Sequence, residues 1–292
     1  MLWLYAALVS GILFSAVAVL SKEIMDETSS VLFTSIYALL SSIFYLPIFL
    51  YYLSTTGISL NTGIVPLIML SGLANVFAIL GFNYSVKQTD ISIAMPLNRL
   101  QPVFVALIGA LVLGEVINLS LALGIVLVTI GSYFVLLKNR NHPLEPFLNL
   151  KHDRGAQMAT ASAAFFGVAA VTDRFVTQIL RPEIYTFLLL MVMALTINTY
   201  LYSKNPKHFT KIKTELTLRP KIYLLTGLLV SGAYFSVLSA LSMAQASKVI
   251  PVLQIQIPLT VIAGKTFFSE EHMVQKLIGS LILIAGIALT AI

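Results

Sequence analysis

The amino-acid sequence predicts an all-α polytopic membrane protein: ten transmembrane helices arranged as two inverted five-helix repeats. Three observations carry that reading. Of 292 residues, 58% are hydrophobic and only 10% charged, with a mean hydropathy of +0.92, whereas a soluble domain carries about 25% charged residues. Ten apolar runs are long enough to cross a bilayer, which takes about 20 residues. The second half of the chain also repeats small and polar residues of the first at a fixed offset.

The ten runs fall at roughly 3–21, 31–53, 64–86, 90–113, 119–137, 156–178, 184–203, 222–244, 248–268 and 274–292. Backbone in hydrocarbon must satisfy its own hydrogen bonds, so such runs are helical. The first run, MLWLYAALVSGILFSAVAVLS, has no basic segment before it and no small-residue cleavage pattern after it. It reads as a retained span rather than a signal peptide. Most connections are short. The long ones are NRNHPLEPFLNLKHDR (139–154) and KNPKHFTKIKTELTLRPK (204–221).

The repeat emerges when the chain is shifted by 155 residues. Identities then fall at Gly72/Gly227, Ser92/Ser247, Pro96/Pro251, Gln101/Gln256, Gly109/Gly264, Glu115/Glu270, Gly124/Gly279 and Gly131/Gly286. Each is a small, polar or proline residue, which apolar composition alone would not match. The division expected is a five-helix unit at 1–138, a connecting loop at 139–154 and a second unit at 155–292. Five is odd, so the second unit enters the membrane from the opposite face, a transporter plan that puts the substrate site near the midplane between the halves.

The net charge of +6 and pI near 9.4 do not point to nucleic acid. Lys138, Arg140, Lys151, Arg154, Lys204, Lys207, Lys211, Lys213, Arg219 and Lys221 lie between the fifth and sixth spans and between the seventh and eighth. Lys22 and Lys87 join them on one side, against little beyond Arg174, Arg181 and Lys248 on the other. The positive-inside rule makes the basic side cytoplasmic and places both termini outside a cell membrane. There are no cysteines, and His142, His152, His208 and His272 fall in loops with no ligand-spaced pair, so no metal or cofactor is implied. The partners expected are a small-molecule solute and the lipid bilayer; a homodimer stays open.

Two copies of one pattern carry a family resemblance. The first is GLANVFAILGFNYSVKQTDISIAMPLNRLQPVFVALIGALVLGE, followed by a glycine-spaced span ending GSYFVLL. The second is GLLVSGAYFSVLSALSMAQASKVIPVLQIQIPLTVIAGKTFFSEE, followed by a span ending GIALTAI. In this the chain resembles the EamA type of the drug/metabolite transporter superfamily over nearly its whole length. A proline-centred fourth helix closes on Gly114-Glu115 in one half and Ser269-Glu270 in the other. The resemblance implies ten helices around a central cavity, faced by helices 1, 3, 4, 6, 8 and 9, with helices 5 and 10 packed to one side. It implies a carrier of amino acids, nucleotide-linked sugars, other metabolites or drugs, and many relatives export. The chain departs from the family in two ways. Ser10-Gly11 stands where Trp-Gly is usual, and the charges put the termini outside, where characterised members mostly keep them inside.

Arg99 lies about nine residues into the fourth span, where an arginine costs at least about 2.5–3.5 kcal/mol. The expectation is that it faces a water-filled cavity and pairs with an anionic group of the substrate, since guanidinium suits bidentate carboxylate or phosphate binding. The alternatives are that it bonds carbonyls freed by Pro96 and Pro102, or snorkels. Asn98 and Gln101 share a face that Arg99 flanks, and the repeat sets Arg99 opposite Gln254 and Gln101 opposite Gln256. These five residues are the expected substrate contacts, with interhelical bonding the alternative for the glutamines. Asn75 and Tyr234 are further cavity candidates, with packing equally open. Pro96, Pro102, Pro251 and Pro258 should kink the fourth and ninth helices. Gly124/Gly131 and Gly279/Gly286 should mark close packing between the fifth and tenth.

Glu115 and Glu270 should be structural, for instance capping the next helix. All twelve acids fall at span ends or in loops. A carboxylate proton relay is therefore not expected, which favours facilitated flux or exchange; Asp90 and Asp173 leave proton coupling open. A membrane-embedded enzyme would need a nucleophile–base pair, metal cluster or paired carboxylates within the spans, and none is visible. A scaffold without transport would show no cavity and an Arg99 tied to protein atoms.

Overall fold

Proline, glycine and charged residues punctuate the chain into helices, and the described residues contain no strand. The structure, a computed structural model, describes residues 1–24, 28–56, 63–136, 145–268 and 273–292, without the side chains of 145, 149, 265–268 and 273. The first half holds α1 (Leu2–Lys22), α2 (Ser30–Thr56), α3 (Val65–Gln88), α4 (Ile91–Asn98), α5 (Gln101–Leu113) and α6 (Leu119–Leu136). A four-residue α7 (Glu145–Leu148) precedes the second half. That half comprises α8 (Arg154–Val176), α9 (Pro182–Lys204), α10 (His208–Leu218), α11 (Pro220–Met243), α12 (Ala246–Leu253), α13 (Gln256–Phe268) and α14 (Met273–Ala291). Ten segments are long and apolar enough to cross a membrane, counting α4 with α5 and α12 with α13 as one each.

The structure revises the expected elements in two places. The connection at 204–221 is not all loop: α10 occupies its middle, with Ile212 buried against Ile24, Phe33, Ile36 and Tyr223. Its first residue, His208, is buried, with Nε2 2.9 Å from Asn198 Oδ1; burial and nearby Lys211 hold that imidazole below its usual pKa. The fourth and ninth spans are broken, at Arg99–Leu100 and at Gln254–Ile255. A proline lies before and after each break. It cannot donate to the preceding turn, and the chain tightens to three-residue turns: Arg99 N to Pro96 O at 3.2 Å, Gln254 N to Pro251 O at 3.1 Å.

α3 and α11, α4 and α12, and α5 and α13 begin and end at positions 155 apart. The packing follows the same exchange: α1 rests on α11 as α8 rests on α3, α2 on α9, and α6 on α14. The first contact uses Ser10 Oγ donating to Ala233 O at 2.9 Å, the second Ser162 Oγ donating to Ala78 O at 2.7 Å. Ser10 thus bonds across the helix interface. Along α6 and α14 the glycines meet backbone to backbone. A Cβ on Gly131 would lie 2.7 Å from Gly279 O, and one on Gly124 2.9 Å from Gly286 O. Gly131 meets Gly279 while Gly124 meets Gly286, so the two helices, equivalent in the repeat, run antiparallel.

Candidate functional site

Both helix breaks come together at the centre. Arg99 caps α4, and its Nη1 donates to Gln254 Oε1 at 3.4 Å. Gln254 is the residue that the repeat pairs with Arg99, and it is buried. Asn98 Nδ2 donates to Ser162 Oγ at 2.9 Å, tying α4 to α8. Gln101 and Gln256 open α5 and α13, both half-buried, with no protein partner among the described hydrogen bonds. Arg99 is itself only half-buried, and its side chain makes no bond to a backbone carbonyl among the described residues. Pro96 and Pro251 lie inside α4 and α12, and Pro102 is the second residue of α5. Pro258 is buried near the start of α13.

Asn75 and Tyr234 are not joined to this cluster. Asn75 donates to Ser71, at 3.1 Å to the carbonyl and 3.5 Å to the hydroxyl. Tyr234 is half-buried and stands edge-on to Phe14, 5.6 Å between ring centroids. Nor does Arg99 line either described cleft. These measure about 290 Å³ (Tyr84, Arg154, Gln157, Met158) and about 360 Å³, and both lie on the flank where α3 meets α8. The larger touches the centre through one residue, Ser162, the acceptor of Asn98. Ser162 is a site residue that the fixed 155 offset misses: its match is Ser10, three residues out of that register.

The acids need correction. Asp173 and Glu115 sit at span ends, yet they are 6% and 8% exposed. Position along a span sets depth, not lateral neighbours: the last turn of α8 is covered by α3 and α9. Glu115 caps a helix of the other half rather than the one that follows it. Its Oε1 accepts Ala246 N at 2.7 Å and its Oε2 accepts Ser247 N at 3.0 Å, at the positive end of α12. Gly114, at φ 65°, lets the chain turn back to deliver it. Glu270, the repeat equivalent, lies outside the described residues, as do Lys138, Arg140, His142 and His272.

Known proteins agree with this architecture. The EamA-like transporter family matches residues 1–137 and 153–292. An uncharacterized transporter of Archaeoglobus fulgidus is 23% identical over 251 residues, covering 86% of this chain and 84% of that one. A protein crystal structure superposes with a TM-score of 0.70 over 98% of this chain and 95% of the other; at 13% identity the likeness is one of fold.

Proposed function

The chain belongs to the EamA-like transporter family, and from that premise we propose that it is a secondary transporter of a small metabolite. It works by alternating access between its two halves, as an exporter or exchanger. The observation that carries the reading is Arg99. A guanidinium has five N–H donors, and among the described hydrogen bonds of its side chain one, at 3.4 Å, goes to protein. The remaining donors are free for water or a solute at the place where both broken helices meet. Guanidinium favours bidentate carboxylate or phosphate, so the cargo is an anionic or zwitterionic solute such as an amino acid. Asn98, Gln101, Gln254 and Gln256 supply neutral hydrogen-bonding groups around the charge.

A scaffold would tie Arg99 fully to protein atoms, whereas one long bond to Gln254 holds it here. An enzyme would place reactive groups beside it, where this break carries amides and prolines; both favour the carrier. The basic loops lie in the cytoplasm and the termini outside, following the charge distribution. The test is thermal stability of the purified protein against a metabolite library, in parallel on Arg99→Gln. A ligand of the folded state raises apparent stability by mass action. One class of anions should stabilise the wild type and leave the variant unmoved. Hits that stabilise both alike would remove Arg99 from the site.

A further inference from the structure

Asp173 lies in the last turn of α8, and its Oδ1 accepts two hydroxyls, Ser71 Oγ from α3 and Tyr185 Oη from α9. Ser71 belongs to the first half and Asp173 to the second, so the carboxyl ties the halves together at this end. Asn75 extends the network one turn along α3 by bonding Ser71. A charged carboxylate taken out of water is costly unless a cation or several donors compensate it. Among the described residues no cation bonds Asp173. The adjacent Arg174 points elsewhere, giving Nη1 to the Leu241 carbonyl. The titratable and charged groups on the surrounding elements include Tyr185 and Glu183 on α9, Tyr234 on α11, Lys248 on α12, Arg99 after α4 and Glu115 after α5, while Tyr84 and Lys87 of α3, Tyr200, Tyr202 and Lys204 of α9, and Lys221 and Tyr223 of α11 lie toward the other ends of their helices. Of these, Tyr185 bonds the carboxyl.

The repeat-equivalent positions at the opposite end lack this carboxyl. α1 and α8 correspond at an offset of 152, the register of Ser10 and Ser162, so Ser21 stands for Asp173 and Phe33 for Tyr185. Thr226 stands for Ser71 at the offset of 155. Ser21 bonds Ala18 O in its own helix, and the buried Thr226 hydroxyl has no hydrogen-bond partner among the described residues. The opposite end uses a different carboxylate, Glu215 on α10, which accepts Thr28 Oγ1 at 3.0 Å and Tyr223 Oη at 2.9 Å. The buried carboxyl on the first helix of a half is therefore found, among the described residues, on α8 and not on α1.

We propose that Asp173 is a proton-binding site, and that protonation loosens the tie between α3 and the α8–α9 pair. Ionised, the carboxylate accepts both hydroxyls as charge-assisted bonds. One proton taken from the aqueous phase on this side forms a single O–H bond, neutralises the group and reduces the hydroxyl bonds to ordinary strength. Coupling of that step to solute movement rests on the carrier reading above; the proton site itself does not.

The test uses the full chain purified in detergent and acidified from about pH 8 to about pH 5, with two readouts. Infrared difference spectra should show a protonated-carboxyl C=O band growing in the wild type and absent from Asp173→Asn. Amide exchange around Ser71 and Asp173, corrected for intrinsic rate, should rise about tenfold on acidification in the wild type. In Asp173→Asn it should be fast at both pH values. Ser71→Ala and Tyr185→Phe should keep the band and move it to higher frequency, because a carboxyl that loses a hydrogen bond has a stiffer C=O. These two variants carry the test if Asp173→Asn does not fold. A band unmoved by either, or an exchange response identical in wild type and Asp173→Asn, overturns the proposal. Neither readout needs a solute: a chain that passes both yet transports nothing overturns the carrier reading and leaves the proton site standing.

Discussion

The α6–α14 seam and the broken helices at the centre are built from the same duplication, yet they treat it in opposite ways. Along the seam the halves match residue for residue, with glycine meeting glycine on both sides. At the breaks the backbone matches, since α4 and α12 end 155 residues apart, but Arg99 faces Gln254. Packing needs the same small residue twice, because each helix is the other's wall. Chemistry needs the charge once, because two guanidiniums at one point would repel. The lesson is that identity along the seam serves packing, while at the breaks identical glutamines, Gln101 and Gln256, flank a charge that is carried once, and that single difference is what the proposed site rests on.

The seam gives the largest effect. A side chain at Gly131 would meet Leu283 N at 2.5 Å and Gly279 O at 2.7 Å, and one at Gly286 would meet Val128 N at 2.6 Å. These are backbone atoms that cannot step aside. Gly131→Leu and Gly286→Leu should each cost several kcal/mol and lose most folded protein, to the same degree. Gly81→Ala, whose added methyl would lie 3.7 Å from its nearest neighbours, should be tolerated. Size-exclusion profiles after membrane extraction check all three. Unequal losses at Gly131 and Gly286 would break the claim that the seam is symmetric.

The centre comes next. Arg99→Gln removes one long hydrogen bond to protein, so its own melting temperature should change little. A charge-assisted bond to an anion is worth about 1.5–3 kcal/mol, so affinity for the stabilising solute should fall roughly tenfold to a hundredfold. Gln254→Arg keeps every other atom and adds the missing charge. It should lower stability by like-charge repulsion, and Arg99→Gln combined with Gln254→Arg should relieve that loss. If the swapped protein also recovers solute binding, the site is symmetric in shape and lopsided only in charge.

The ends of the first helices of each half sharpen the contrast further. Asp153 is the N-cap of α8, its Oδ1 accepting Gly155 N at 2.6 Å and Ala156 N at 3.3 Å. Met1 holds that place on α1 and makes no side-chain cap. The Thr89 hydroxyl, joined by the Gly155 and Ala156 amides, holds the Asp153 carboxyl below its usual range against the opposing pull of burial. A group with a depressed folded pKa stabilises above its unfolded value, about 3.9, and loses that contribution as pH falls through the folded value. Asparagine caps as well as aspartate, so Asp153→Asn should cost only the charge, about 0.3–1 kcal/mol between roughly pH 5 and pH 8, and the difference from wild type should close below about pH 4. A gap in melting temperature that stays constant into acid would mean that the charge contributes nothing.

The breaks were legible because Pro96 and Pro251 share one offset and the polar residues Asn98, Arg99 and Gln101 follow at once. The glycine seam was legible from its seven-residue spacing. Lateral packing was not. Hydropathy reports how far along a span Asp173 lies but not that Ser71 and Tyr185 cover it, and nothing near Glu115 announces a helix start 131 residues later. α10 was hidden because a short amphipathic helix in a basic loop scores as loop. Ser162 was hidden by register, since the first helices of the halves correspond at 152 and the later ones at 155.

That shift of register makes the last comparison the most delicate. Ser10→Ala and Ser162→Ala each delete one interhelical bond to a carbonyl, at 2.9 Å and 2.7 Å, and such bonds average about 0.6 kcal/mol in membrane proteins. If the two serines were only scaffold, the losses should be equal. Ser162 also accepts Asn98 Nδ2 at 2.9 Å, and Ser10 has no counterpart bond, because the residue that the repeat pairs with Asn98 is Leu253. The excess cost of Ser162→Ala over Ser10→Ala therefore reads the Asn98 bond, about 1 kcal/mol. It should vanish when both variants are made in an Asn98→Leu background. An excess that survives there would assign Ser162 to packing and take Asn98 out of the central site.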